Sequence, residues 1–289
     1  MLTIRGLTRA YDDKVVVDEV SFDVRPGRMT GFVGANGAGK TTTMRMIMGV
    51  LAPTRGEVEW HGKPITAEQR SQFGYMPEER GLYPRMTLLS QLVFLAQLHG
   101  MSRTDATERA RQLLDHFGLD ERRDDILDAL SLGNQQRVQI AAALIHHPIA
   151  LVLDEPFSGL DPLAVDSMVE LLQAEIGSDV PVLFSSHQMD LVERLCDDLV
   201  VLSRGRVVAS GPTAQLRTHG PERFRVVLAS GGSLPVGVAV VRRDGAEAVI
   251  EAPGRDAAEL ARELVGSGAA VEFSRYAEPL SEIFREVAR

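Results

Sequence analysis

Hydrophobic and polar positions alternate through the first thirty residues and then change period. Leu2–Leu7, Val15–Val24 and Met29–Gly34 read as strands, with Pro26-Gly27 as the turn between the second and third. Residues 42–48 switch to helical spacing and end near Gly49, and short strands are expected at Glu57–Trp60 and Phe73–Met76. From about Thr87 to Ala143 the pattern is helical. Ser102 and Asp105 have capping-box spacing, and Ala106, Ala110, Leu113, Leu114 and Phe117 follow on one face. After Ile149, apolar strands (149–153, 180–186, 198–203) alternate with helical runs (165–176, 188–196), which implies parallel strands covered by helices.

Pro212 and Gly220-Pro221 mark a change of regime. Beyond them, strands are expected at Phe224–Leu228, Val236–Val241, Ala248–Ala252 and Ala270–Phe273, with a helix at Arg255–Val265. A last helix would present Leu280, Ile283, Phe284 and Val287. The fold expected is α/β, with a mostly parallel sheet in residues 1–218, a helical part at about 85–145, and a small α+β domain in residues 222–289. No catalytic constellation stands out in the second domain, so an accessory role in regulation or dimer contact is the expectation.

At 289 residues the chain is long enough for two domains. A net charge of −9 argues against a nucleic-acid surface, and a single cysteine, Cys196, excludes an internal disulfide framework. Cys196 falls in an apolar helical run and reads as core. The Met1 start lacks a secretory pattern and no run of 18 apolar residues occurs, so a cytoplasmic chain is expected.

The chemistry concentrates in two places. Gly34–Thr42, GANGAGKTT, fits the phosphate-loop spacing, with Gly34, Asn36, Gly37, Gly39, Lys40, Thr41 and Thr42 between a strand and a helix. Glycines let backbone N–H groups approach phosphate oxygens, the helix N-terminus adds its positive end, Lys40 supplies a point charge, and the Thr41 hydroxyl suits Mg²⁺. The second place is an apolar strand ending in Asp154-Glu155, where parallel sheets bind ligands. Asp154 suits Mg²⁺ and Glu155 suits the proton of an attacking water; taken alone, the pair also reads as a solvated turn.

With these residues in order, residues 1 to about 215 resemble the ATP-binding subunits of ABC transporters, whose fold is a P-loop NTPase core with an antiparallel β subdomain and a helical subdomain. The resemblance implies ATP and Mg²⁺ as cofactors, with Lys40 and Glu155 catalytic and His187 as a switch at the γ-phosphate. Tyr11 would stack on adenine, or else close a turn at the surface. Ser158–Asp161 matches the family's D-loop. Leu130–Asn134 matches the signature, usually LSGGQ, so Ser131 and Gly133 would complete the ATP site of a second ATPase subunit in a head-to-tail dimer. Leu132 and Asn134 depart from that pattern.

Glu78 stands where the family commonly has glutamine, and either joins the metal site or points to solvent. PEERGLYP around it looks like an exporter-type branch that carries a small C-terminal domain. The surface at 80–98 would receive a short helix of an integral membrane permease, with Leu82, Tyr83 and Met86 as candidates, while Leu88, Leu89, Leu92 and Leu95 fit subdomain core. This places the chain on the inner face of the cell membrane, driving transport, with export favoured and no nucleic-acid partner. Two rivals are a soluble ABC-type ATPase acting on nucleic acid or ribosomes, and a non-hydrolysing regulator. No long heptad run lies between Lys40 and Ser131, a single phosphate loop is present, and Glu155 and His187 are intact, all of which disfavour the rivals.

Overall fold

The computed structural model describes residues 1–12, 14–79, 81–217 and 222–276. The chain divides into two compact units, Met1–Pro212 and Thr213–Arg289. In chain order the first unit comprises β1 (Leu2–Tyr11), β2 (Lys14–Val24), β3 (Met29–Val33), α1 (Lys40–Ile47), β4 (Arg55–Trp60), β5 (Lys63–Pro64), α2 (Ala67–Arg70), β6 (Phe73–Met76), α3 (Leu88–Leu98), α4 (Arg103–His116) and α5 (Leu132–Leu144). It continues through β7 (Ala150–Leu153), α6 (Pro162–Glu175), β8 (Val182–Ser186), α7 (Met189–Leu195), β9 (Asp198–Ser203) and β10 (Arg206–Pro212).

Two sheets carry this unit. One is antiparallel, in the order β2-β1-β4-β5; the other has the order β10-β9-β3-β8-β7-β6 and is parallel except for β10. The expected alternation of strand and helix therefore builds a parallel sheet, and the fold is α/β as expected. β3, β7 and β8 are buried at every position, as continuous apolar runs in the middle of a covered parallel sheet must be. Strands from both sheets share one core, in which Leu2, Ile4, Val20 and Val24 meet Phe32, Ile47, Val152 and Leu183.

Local chemistry sets the helix starts. The Asp161 carboxylate accepts the Ala164 N–H at 2.9 Å ahead of Pro162, so Asp161 is the N-cap of α6. Ser102 caps α4 through the Asp105 N–H at 3.2 Å and donates to the Asp105 side chain, a one-sided version of the expected box. A full capping box occurs instead at Thr66–Gln69, where glutamine can return the bond to the Thr66 N–H. Cys196 is buried as expected, at the C-cap of α7, and burial pushes its thiol pKa up. No helix among the described residues is long and apolar enough to cross a membrane.

The second unit contains α8 (Thr213–Leu216), β11 (Arg223–Leu228), β12 (Ala239–Asp244), β13 (Glu247–Glu251), α9 (Ala257–Gly266) and β14 (Ala270–Tyr276). Its sheet order is β12-β13-β11-β14, antiparallel throughout. Phe224, Val226, Ile250, Leu260 and Leu264 form its core, and the alternate positions of β11 and β13 pair as Arg223–Glu251 and Arg225–Glu247. The second strand begins three residues later than expected. Val238 packs on the core from the loop that crosses between β11 and β12, so the apolar period ran through a non-strand segment. The expected helix bearing Leu280, Ile283, Phe284 and Val287 lies outside the described residues.

One ion cluster ties the turn after β2 to the start of β9. The nearly buried Asp198 accepts from Arg25 Nε at 3.0 Å and Arg28 Nε at 2.7 Å, and Asp197 accepts the Met29 N–H at 3.0 Å. Burial raises the Asp198 pKa, but the two guanidinium groups outweigh it and hold the carboxyl below its usual range. A depressed carboxylate contributes stability above its unfolded pKa and loses it as pH falls through the folded value. Asp198→Asn is therefore expected to destabilise the first unit by roughly 1.5–3 kcal/mol at pH 7. The gap to the parent chain should narrow as pH drops below about 4, read by urea unfolding at both pH values.

Candidate active site

β3, β8 and β7 are neighbours in the sheet and point the same way, so their C-terminal ends open onto one edge. β3 delivers Gly34–Thr42, β8 delivers Ser186-His187, and β7 delivers Asp154-Glu155. A cavity of about 200 Å³ there is lined by Asn36, Gly37, Gly39, Lys40, Thr41, Thr42, Glu78 and Glu155, together with Val16.

Two glycines of the loop meet hard constraints. A Cβ on Gly34 would lie 2.4 Å from the Leu202 carbonyl oxygen, and Gly39 at the α1 N-cap has φ +105°. The Lys40 side chain is only 7% exposed; its Nζ donates to the Gly34 carbonyl at 2.7 Å and lies 3.8 Å from Glu155 Oε1. The Thr41 hydroxyl donates to Glu78 Oε2 at 3.3 Å, so the exposed Glu78 also lines the cavity.

Glu155 carries a left-handed backbone, φ +54°, which costs a non-glycine residue about 1–3 kcal/mol. Its carboxylate lies between Lys40 and His187, whose Nδ1 is 3.0 Å from Oε2. Asp154 is fully buried. Oδ1 accepts the Ser185 hydroxyl at 2.5 Å, whereas Oδ2 is a buried oxygen without a hydrogen-bond partner. A carboxylate oxygen in that state fits a hard cation, and Thr41 and Glu78 are oxygen donors of the same class. Tyr75, on β6 beside this strand, has its hydroxyl pKa raised by burial and then by the charge of Asp154.

Tyr11, Gly34, Asp154 and His187 are not among the residues that line this cavity, nor are Ser131 and Gly133, which were expected at the ATP site of a second subunit. Tyr11 closes the β1–β2 hairpin, 45% exposed, with the Arg9 guanidinium 4.4 Å over its ring; it is absent from the cavity wall. Ser131 and Gly133 open α5 elsewhere on the unit. Ser131 is its N-cap, makes no side-chain cap bond and is an exposed residue. That helix is fastened to the D-loop: Gln136 Nε2 donates to the Ser158 carbonyl at 2.6 Å, and Leu132 packs on Gly159.

Ser185 was not singled out in the sequence, where it read as the end of a buried strand. A buried hydroxyl just before His187 is the signal that marks it. A second, apolar cavity of about 320 Å³ lies between α5 and the β6 end, lined by Met48, Tyr75, Leu82, Leu95, His99, Ala143 and His146 among others. Leu82 reaches it as expected, while Tyr83 and Met86 do not; Tyr83 is exposed, edge-on to Phe94. Leu88 and Leu92 are buried as expected, but Leu95 lines this cavity. The His99 and His146 rings stack there at 3.7 Å, and burial, then His99, lowers the His146 pKa to about 4.

Comparison with known proteins yields the ABC transporter family, matched over residues 17–158. The uncharacterized ABC transporter ATP-binding protein YhaQ of Bacillus subtilis (strain 168) is 43% identical over 75% of this chain and 73% of its own length. Nod factor export ATP-binding protein I of Ralstonia nicotianae is 36% identical over 76% of this chain and 69% of its own length. Among solved structures, an ATP binding subunit of an ABC transporter aligns with TM-score 0.68 at 35% identity, covering 75% of this chain and 92% of that one. The chain belongs to the ABC transporter family, as an ATP-binding, ATP-hydrolysing subunit that powers transport together with membrane permease components.

Proposed function

We propose that this ATPase hydrolyses ATP at the cavity between the Gly34–Thr42 loop and Glu155, and that the transport it drives is export. The observation that carries the site is the convergence of Lys40, Glu155 and His187 within 3.8 Å contacts at one sheet edge. Loop N–H groups and the α1 N-terminus receive the phosphates, with Lys40 giving its ammonium to the β- and γ-phosphates. Glu155 takes the proton of the attacking water, and His187, bonded to Glu155, reaches the γ-phosphate. Asp154, Thr41 and Glu78 would hold Mg²⁺, which when bound neutralises phosphate charge. Tyr11 stacks on the adenine from the hairpin.

Ser131, exposed, and Gly133, half-buried, at the α5 N-terminus serve the ATP of a second subunit in a head-to-tail pair. On this reading residues 1–218 form the ATP-binding domain, with 85–145 its helical part, and residues 222–289 an accessory domain. The apolar cavity beside Leu82 and Leu95 receives a short helix of the permease, holding the chain on the inner face of the cell membrane. Export is supported by the similarity to a Nod factor export ATP-binding protein.

Lys40→Ala is expected to weaken ATP binding about 10- to 100-fold, the loss of a charge-assisted bond, measured by equilibrium binding. Unchanged affinity would remove Lys40 from the phosphate site. Glu155→Gln should keep ATP affinity, lower turnover about 10²–10⁴-fold and accumulate ATP-bound dimers in light scattering. A variant that still hydrolyses at the parent rate would refute the base assignment. Glu78→Gln, which removes one negative charge, should raise the Mg²⁺ concentration for half-maximal phosphate release several-fold; an unaltered Mg²⁺ titration would take Glu78 out of the metal site.

A further inference from the structure

The fully buried Ser185 lies one residue from the end of β8, against β7. Its hydroxyl bonds two consecutive residues of the site: it donates to Asp154 Oδ1 at 2.5 Å and accepts the Glu155 N–H at 2.8 Å. The directions are not interchangeable. A backbone N–H only donates, so Oγ must accept from Glu155, and its single proton then goes to the Asp154 carboxylate.

Both bonds have consequences beyond packing. The first engages Oδ1 and leaves Oδ2 as the carboxylate oxygen without a partner. The second grips the N–H of a residue held at φ +54°, a conformation that persists only where the surroundings over-determine it. From that backbone the Glu155 carboxylate reaches Lys40 and His187. The neighbouring Ser186 hydroxyl cannot substitute, since it accepts the Gln188 N–H at 3.0 Å on the other side of the chain turn.

We propose that Ser185 is a positioning residue for hydrolysis: its hydroxyl orients Asp154 so that Oδ2 faces a divalent cation, and holds Glu155 in the backbone conformation from which it meets the attacking water. The proposal rests on the assignments of Asp154 and Glu155 made above. It makes Ser185 act through two residues at once, so its removal affects cation affinity and turnover together.

The test uses the full chain with Ser185→Ala and Ser185→Thr, each also placed in the Glu155→Gln background. In Ser185→Ala, kcat is expected to fall at least tenfold while the KM for ATP moves less than twofold. Mn²⁺ affinity of the ATP-bound Glu155→Gln chain, read by electron paramagnetic resonance, should weaken at least threefold. Ser185→Thr, which keeps the hydroxyl, should bring both readings back to within threefold of the parent. An unchanged kcat or Mn²⁺ affinity in Ser185→Ala overturns the proposal. So does failure of Thr to restore them, or loss of the Ser185→Ala melting transition, which would leave only a packing role. If Glu155→Gln alone hydrolyses ATP at the parent rate, the underlying assignment fails; if it is inactive while Ser185→Ala is unimpaired, only the present proposal fails.

Discussion

Leu153 lies beside Phe184 in the parallel pairing of β7 with β8, and that register sets Asp154 and Glu155 against Ser185 and His187. β3 pairs with the other side of β8, bringing Val33 level with Ser186 and the phosphate loop to the same edge. A slip of one residue in either pairing would turn each side chain to the opposite face of the sheet. The register is secure because all three strands are buried at every position, so a slip would also displace the apolar packing of Phe32, Val152 and Leu183 on the core. The acidic and basic groups are thus placed by hydrophobic burial that they do not themselves supply.

The site's charges also constrain each other. Lys40 is almost wholly buried, and an ammonium in that position needs its donors used. The Gly34 carbonyl takes one, and Glu155 faces the charge at 3.8 Å. Glu155 in turn is held by His187 and by its N–H bond to Ser185, which together maintain a backbone that glycine alone would adopt freely. Asp154 is the exception, since its Oδ2 finds no protein donor. An unmet acceptor within an otherwise satisfied cluster is the observation on which the proposed cation role of Asp154 rests.

Much of this was legible in the sequence because it is local. The phosphate loop and the Asp154-Glu155 strand end follow from motif and period, each defined within a few residues of a strand, while His187 came from the family resemblance. What depends on distant pairing was not. Ser185 sits in an apolar run whose pattern says only buried strand, and its role appears when β7 is laid beside it. Tyr11 lies before a strand, as expected, but its place is governed by the hairpin and by Arg9, which no spacing rule encodes. Val238 shows the converse error, an apolar alternation used by a crossing loop to cover a core. Glu78 was left open between solvent and site, and it is exposed while its carboxylate accepts the Thr41 hydroxyl at the cavity wall.

The departure at Leu132 is accommodated by a contact with residues 158–160. Leu132 stands where small residues are usual, yet its side chain does not disrupt the α5 N-terminus; it lies on Gly159, where a Cβ would come within 2.9 Å of Leu132 Cδ2. Gly133 has a matching restriction, since a Cβ there would approach Leu160 at 3.3 Å. With Gln136 bonded to the Ser158 carbonyl, the signature and D-loop segments interlock through both side chains and backbone. Gly159 is favoured by its φ of +77°.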